Sequence, residues 1–159
     1  MECFLQYYKE ILKFKNERIN DMIKEAKTDE GILACFNVMS ELRQHLIKDE
    51  FVSLIRSMQK EGYHLCCIKE ENKIAAVSGY RIFTTLYEGK QLYVDDLCTA
   101  ENERSKGYGE DMLNWLKCLA KDAGCKFFNL DSGTQRKRAH KFYFNQGLSI
   151  DCYHFKQDL

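Results

Sequence analysis

The stretch Arg104-Ser105-Lys106-Gly107-Tyr108-Gly109 joins an apolar, strand-like segment, residues 92–99, to an amphipathic run. Glycines one residue apart allow backbone angles that a side chain forbids, and they let the chain approach an anion closely. The first turn of a helix leaves its N–H groups unpaired, and the helix dipole adds about half a positive charge there. The stretch therefore predicts a strand, an anion-binding turn and a helix, with pyrophosphate as a natural ligand.

Spacing excludes two common kinds of phosphate loop. A Walker loop needs G-x-x-x-x-G-K-[ST], which the chain lacks. A dinucleotide-binding fold needs G-x-G-x-x-G, and its third glycine would fall at Met112. The pattern that remains is R-x-x-G-x-G.

A second motif, Ala139-His140-Lys141-Phe142-Tyr143-Phe144-Asn145-Gln146-Gly147-Leu148, follows downstream. The two segments, in this order, resemble the [QR]-x-x-G-x-[GA] and A-x-x-[FL]-Y-x-x-x-G-[FL] signatures of the GNAT superfamily of N-acetyltransferases. The resemblance implies an α/β (α+β) fold with a mixed, mostly antiparallel central sheet and helices on both faces. It also implies a splayed parallel strand pair at the site of acetyl-coenzyme A.

The composition favours one domain without a strong overall electrostatic field. The 159 residues include 24 basic and 24 acidic ones, so we expect no nucleic-acid partner and no membrane partner. No apolar run approaches the roughly 18 residues of a spanning helix, and residues 1–20 lack a signal-peptide pattern. A cytoplasmic protein is expected. We assign residues 20–159 to a single GNAT-like domain.

Residues 1–19 are predicted to form a helical extension. Its apolar positions share one helical face: Phe4, Leu5, Tyr8, Ile11 and Leu12. A helix this short needs a partner surface to be stable, and either its own domain or a second copy in a homodimer would supply one.

The cysteines and histidines do not predict a metal site. The eight cysteines contain no C-x-x-C, and the four histidines show no ligand spacing. We expect reduced, mostly buried thiols and no metal.

The periodicity predicts the order of elements within the domain. The predicted strands are 20–27, 63–68, 74–83 with a bulge near Gly79, 91–99, 126–131 and 148–156. The predicted helices are two in tandem within 29–58, one after the glycine turn, and one over 136–146. The strand–helix–strand order around the turn predicts a parallel pair, because the connection is a crossover.

The resemblance implies which residues bind acetyl-coenzyme A. They are the strand end, Leu97, Cys98 and Thr99; the turn and helix start, Arg104, Ser105, Lys106, Gly107, Tyr108, Gly109 and Glu110; and Arg136 and His140 of the later helix. Two departures from the family pattern are visible. Ala100 to Glu103 stand where a proline is frequent, and Arg136 stands where asparagine is usual.

Acyl transfer to an amine needs a base for the amine proton and an acid for the departing thiolate. Asp95 and Asp96 lie just upstream of the strand end, and alternation sends them to opposite faces. Asp95 is favoured as the base because alternation puts it on the same face as Tyr93, near the position where some family members carry a glutamate base. The alternative is that either carboxylate simply bonds a neighbouring loop or an arginine. A bulge would exchange the parity. Tyr143 matches the family tyrosine proposed to protonate the thiolate, and a core aromatic is the other interpretation.

Three functions follow, of unequal weight. The first is an N-acetyltransferase that moves an acetyl group from acetyl-coenzyme A to a primary amine in a ternary complex; the charges of Asp95, Asp96 and Glu88 favour a cationic acceptor. The second is a non-catalytic module that binds or senses acyl-coenzyme A. A third, RNA binding by residues 136–138, is weak because no aromatic residues interleave the basic ones. A covalent route through Cys98 is disfavoured, since the sequence places no histidine beside it.

Overall fold

The computed structural model describes Ile19 and residues 21–158, so the predicted N-terminal extension, apart from Ile19, lies outside the described residues. The strands are β1 Ile23–Glu25, β2 Tyr63–Glu70, β3 Lys73–Thr85, β4 Gly89–Thr99 and β5 Phe127–Leu130. The helices are α1 Asp29–Ala34, α2 Phe36–Leu42, α3 Lys48–Lys60, α4 Tyr108–Asp122 and α5 Lys137–Asn145. A 3-10 turn, Glu101–Glu103, follows β4.

The strands form one sheet in the order β1-β2-β3-β4-β5. The first four run antiparallel to their neighbours, whereas β4 and β5 are parallel. The connection between β4 and β5 contains α4, which is the crossover that a parallel pair requires. The predicted mixed, mostly antiparallel sheet with one parallel pair is confirmed.

Apolar side chains cover both faces of this sheet. One core, which we call the α1–α3 face, contains Ile32, Met39, Phe51 and Ile55 from the helices and Leu65 and Val77 from the strands. The other, the α4 face, contains Met112 and Leu116 from the helix and Cys66, Tyr80, Leu92 and Val94 from the strands. Alternation along each strand sends successive side chains to opposite cores. Helices on both faces are therefore confirmed.

The region before β2 differs in detail from the prediction. The first strand is shorter than residues 20–27, because Asp21 and Met22 are helical. The first predicted helix is two short helices that meet at Cys35, which is the C-cap of α1 and the N-cap of α2. The Thr28 side chain accepts a hydrogen bond from Gly31 N, as expected of an N-cap.

The strand predicted over residues 148–156 is wrong, because no strand is present in the described residues after Leu130. Ile150, Tyr153 and Phe155 are exposed there. A side-chain hydrogen bond, between His154 Nδ1 and Asp131 Oδ2 at 2.8 Å, ties this segment to the body. Apolar alternation indicates a strand only where a neighbouring edge supplies backbone hydrogen bonds, and the segment does not pair with β5.

Within Ile19 and residues 21–158, no helix is both long and apolar enough to cross a membrane.

Candidate active site

The parallel pairing ends at the point where the site lies. Its pairing runs from Gln91 opposite Phe127 to Val94 opposite Leu130, after which β5 ends and β4 continues to Thr99. A cavity of about 130 Å³ lies beyond the end of this pairing. Its lining includes side chains from both strands and from two helices: Leu42, Arg43, Val94, Asp95, Leu97, Leu130, Asp131, Ser132, Gly133, Arg136, Ala139 and Tyr143.

A bulge in β4 places both adjacent carboxylates on one face. Gly79 pairs with Asp96 and the next residue, Tyr80, pairs with Val94, so Asp95 is the extra residue. Val94 and Cys98 are four residues apart, so strict alternation would put them on the same face of the sheet. Instead Val94 lies in the α4 core and Cys98 lies in the α1–α3 core. The expectation that Asp95 and Asp96 face opposite sides was wrong, because the extra residue breaks the alternation on which it rested.

Asp96 is buried, and each of its carboxylate oxygens accepts a hydrogen bond. Arg43 Nε donates to its Oδ1 at 2.7 Å, and the Tyr63 hydroxyl donates to its Oδ2 at 3.0 Å. The Ser78 hydroxyl donates to its backbone carbonyl at 2.7 Å. Burial raises the pKa of the Tyr63 phenol, and the Asp96 carboxylate raises it further. This phenol therefore stays protonated as a hydrogen-bond donor, and Asp96 has the character of a structural anchor.

Asp95 is more open than Asp96. Arg81 Nε donates to its Oδ2 at 3.1 Å, and Arg43 Nη2 donates to its backbone carbonyl at 3.0 Å. Within the described chain its Oδ1 has no hydrogen-bond partner, and the side chain lines the cavity. Burial raises the pKa of the Asp95 carboxyl above its ordinary value, and the nearby Arg81 guanidinium opposes that shift without cancelling it. The group is thus a better proton acceptor than an ordinary aspartate.

Tyr143 approaches the same cavity from α5. Its ring is half-buried and packs against Phe142, with ring centroids 5.5 Å apart. Burial raises the pKa of its phenol, while the charge of Arg136 acts in the opposite direction. The phenol is therefore protonated at neutral pH and can donate a proton.

The glycine turn has the geometry of an anion site. Ser105 and Gly107 have positive φ angles of 66° and 95°, and α4 begins at the next residue. The first intrahelical bond is donated by Asp111 N to Gly107 O, so the N–H groups of residues 108–110 have no intrahelical acceptor. Alternating backbone conformations of this kind form a concavity of N–H groups suited to phosphate.

Side chains of the predicted phosphate loop are engaged within the protein. Arg104 donates to Glu41 Oε2 and to the Thr99 carbonyl, each at 3.3 Å, and Lys106 Nζ donates to Glu103 Oε2 at 2.7 Å. Glu41 Oε2 also accepts from the backbone N–H of Glu101 at 2.9 Å. These contacts tie the loop to α2. Because Arg104 and Lys106 are paired within the protein, the backbone N–H groups of the loop are the groups available to bind an anion.

The remaining predicted residues take less central positions. The Tyr108 hydroxyl donates to Glu70 at 3.0 Å, and Glu110 is exposed in the first turn of α4. Arg136 caps α5 and lines the cavity, whereas His140 Nε2 contacts the Gly133 carbonyl at 3.0 Å.

Cys98 is buried, and burial raises the pKa of its thiol to about 11. A thiol with this pKa remains protonated at neutral pH, and only the thiolate is a good nucleophile. This argues against a covalent role for Cys98.

Sequence reasoning missed the residues that surround the two carboxylates. Arg43, Tyr63 and Arg81 lie between 14 and 53 positions away from their aspartate partners. The available signal was Gly79, whose predicted bulge lies at the observed register shift. Among the described residues, no three His, Cys, Asp or Glu side chains converge as a metal site.

Comparisons with known proteins agree with this geometry. A model of the acetyltransferase (GNAT) family matches residues 23–148. The chain is 34% identical over 137 residues to YhdJ of Bacillus subtilis (strain 168), named an uncharacterized N-acetyltransferase, with 85% of this chain and 96% of YhdJ covered.

Two solved structures share the fold at low identity. A transcriptional regulator from Bacillus halodurans C-125 superposes with a TM-score of 0.74 at 21% identity, covering 86% of this chain and 98% of the other. A GNAT family acetyltransferase from Staphylococcus aureus superposes with a TM-score of 0.73 at 18% identity, covering 86% and 97%.

Proposed function

The chain belongs to the GNAT acetyltransferase family and is an acyltransferase, and on this premise we propose that it moves the acetyl group of acetyl-coenzyme A to a primary amine by direct attack in a ternary complex. One observation carries the proposal. The cavity beyond the end of the β4–β5 pairing is lined by a carboxylate, Asp95 of β4, and by a phenol, Tyr143 of α5, where the edge of β4 is open. A base, an acid and free backbone groups are what amine acylation requires.

The coenzyme would be held mainly by backbone groups. The turn at Ser105 and Gly107 and the start of α4 would bind the pyrophosphate, because the N–H groups of residues 108–110 have no intrahelical acceptor. The acyl arm would then lie along residues 95–99 of β4, whose side toward β5 is open. Arg136 adds positive charge at the same cavity.

In the proposed reaction the amine nitrogen forms a bond to the thioester carbon, and the carbon–sulfur bond breaks. The amine is protonated at neutral pH, with a pKa of ~10.4 for a lysine-like group, so a base must remove a proton. Asp95 suits this role better than Asp96, since it lines the cavity and keeps one oxygen unpaired within the described chain. Tyr143 would return a proton to the departing thiolate.

The charges near the cavity restrict what can be said of the acceptor. Arg43 pairs with Asp96 at 2.7 Å and Arg81 pairs with Asp95 at 3.1 Å, so each carboxylate has a cation beside it. A neutralised wall does not by itself attract a polycation. We therefore propose a primary amine without assigning further positive charge to the acceptor.

The test is a thiol-release assay with acetyl-coenzyme A and a panel of primary amines: polyamines, aminoglycosides, amino acids and lysine peptides. The proposal requires amine-dependent release of coenzyme A together with mass-spectrometric detection of the N-acetyl product. Binding of acetyl-coenzyme A without turnover for any amine would instead favour the non-catalytic sensing module. We further propose that residues 20–159 act as one catalytic domain in the cytoplasm.

A further inference from the structure

Ser132 lies in the segment that immediately follows β5. It contributes to the lining of the cavity between β4 and β5, together with Asp95 and Tyr143. Its Oγ atom is buried, yet it has no hydrogen-bond partner among the described residues. Among the described residues, it is the only buried side-chain oxygen or nitrogen without a hydrogen-bond partner.

An orphaned hydroxyl in this position is unfavourable for folding. Buried polar groups are almost always hydrogen-bonded, because desolvating them without a partner is costly. The unpaired hydroxyl belongs to a residue in the wall of the same small cavity that the proposed base and the proposed acid line. This is the position at which a ligand, rather than the protein, would complete the hydrogen bond.

We propose that Ser132 is a binding residue whose hydroxyl donates a hydrogen bond to the thioester end of acetyl-coenzyme A. The inference rests on the proposed function, which brings the acyl arm between the two strands. Ser132 lies on the β5 side of the cavity, whereas Asp95 and Leu97 lie on the β4 side. A donor on the β5 side can therefore contact the acyl arm from the side opposite the open backbone edge of β4.

The test compares Ser132→Ala with wild type in two measurements on the full chain: calorimetric affinity for acetyl-coenzyme A, and thermal unfolding without ligand. We expect affinity to fall about 2- to 10-fold, the worth of one net hydrogen bond. The melting temperature of the free protein should stay the same or rise, because the substitution removes an unsatisfied polar group. Thr134→Ala, an exposed position in the same loop, is the matched control and should change neither quantity.

Ser132→Thr keeps a hydroxyl and should retain more affinity than Ser132→Ala. Unchanged affinity in Ser132→Ala would overturn the proposal, and so would a Thr variant as weak as the Ala variant. A lower melting temperature with no loss of affinity would show a structural hydroxyl. If wild type itself binds no acetyl-coenzyme A, the proposed function fails together with this inference, which separates that result from a failure of Ser132 alone.

Discussion

The phenol of Tyr63 lies directly over Gly79, in the volume that a Cβ atom on residue 79 would fill. From there the hydroxyl donates to Asp96 Oδ2 at 3.0 Å. Gly79 also pairs with Asp96 at the register shift that produces the β4 bulge. A glycine at this position therefore allows an aromatic ring to cross β3 and hold the carboxylate next to the proposed base.

Gly79→Ala should destabilise the protein by about 2–4 kcal/mol, since overpacking typically costs 1–3 kcal/mol and a lost buried hydrogen bond adds to it. Urea unfolding measures the change. Gly31→Ala is the matched control, because a Cβ there meets Thr28 Oγ1 at an ordinary 3.4 Å. Equal stability of the two variants would contradict the packing that we describe. In a Tyr63→Leu background the penalty of Gly79→Ala should shrink, because the ring is gone.

Gly107→Asp should weaken acetyl-coenzyme A binding by at least about 100-fold, because like charges brought together cost several kcal/mol. Residue 107 has a φ of 95°, a backbone conformation that most side chains adopt only with strain. Gly107→Asn separates the two effects: asparagine tolerates this backbone conformation and carries no charge. Calorimetry should rank wild type above Asn and Asn above Asp. Undiminished affinity of a folded Gly107→Asp variant would show that the glycine turn does not bind the coenzyme.

Asp95→Asn should lower kcat/KM at neutral pH by about 10² to 10⁴, the usual worth of a general base, and the rate should recover partly at high pH. In wild type the burial of Asp95 raises its pKa above the ordinary 3.8, so activity should fall as pH drops through that raised value. The acidic limb of the pH profile should disappear in Asp95→Asn. Asp96→Asn is the comparison, and it should keep the limb.

The Asp95→Asn and Asp96→Asn variants should also differ in folding stability. A carboxyl whose folded-state pKa is raised stabilises the fold at low pH, and this contribution is lost as pH rises through the raised value. Asp95→Asn should therefore cost little stability at pH 7. Asp96→Asn should cost more, since it weakens the bonds to Arg43 and Tyr63. If only Asp96→Asn removes the acidic limb, the base is Asp96.

Tyr143→Phe should retain coenzyme binding and lose turnover by about 10² to 10⁴, because the ring and its packing remain while the acidic proton is lost. A thiol pKa of ~8.5 makes the thiolate a tolerable leaving group, so activity should not vanish. Acetyl thioesters of more acidic thiols should recover much of the rate, because they need the proton less. A variant with wild-type turnover, or one equally slow with activated thioesters, would make Tyr143 a packing residue.

The features predictable from sequence share a local origin. The turn at Gly107, the helix after it and the strand before it depend on residues within one short stretch, and periodicity assigns their apolar faces. The parallel pairing of β4 and β5 follows from the crossover rule. The strand expected over residues 148–156 failed because pairing depends on a distant edge, which alternation does not specify.

The sequence by itself determined the family, the order of elements and the residues that could carry acyl transfer, because these depend on motif spacing and hydrophobic period. Tertiary structure decided how those residues are arranged. One extra residue in β4 put Asp95 and Asp96 on the same face, and Arg43 then paired with one of them across 53 positions. It also buried the hydroxyl of Ser132 at the cavity. Strand register and long-range hydrogen bonds arise only when remote segments pack together, so local patterns do not encode them separately.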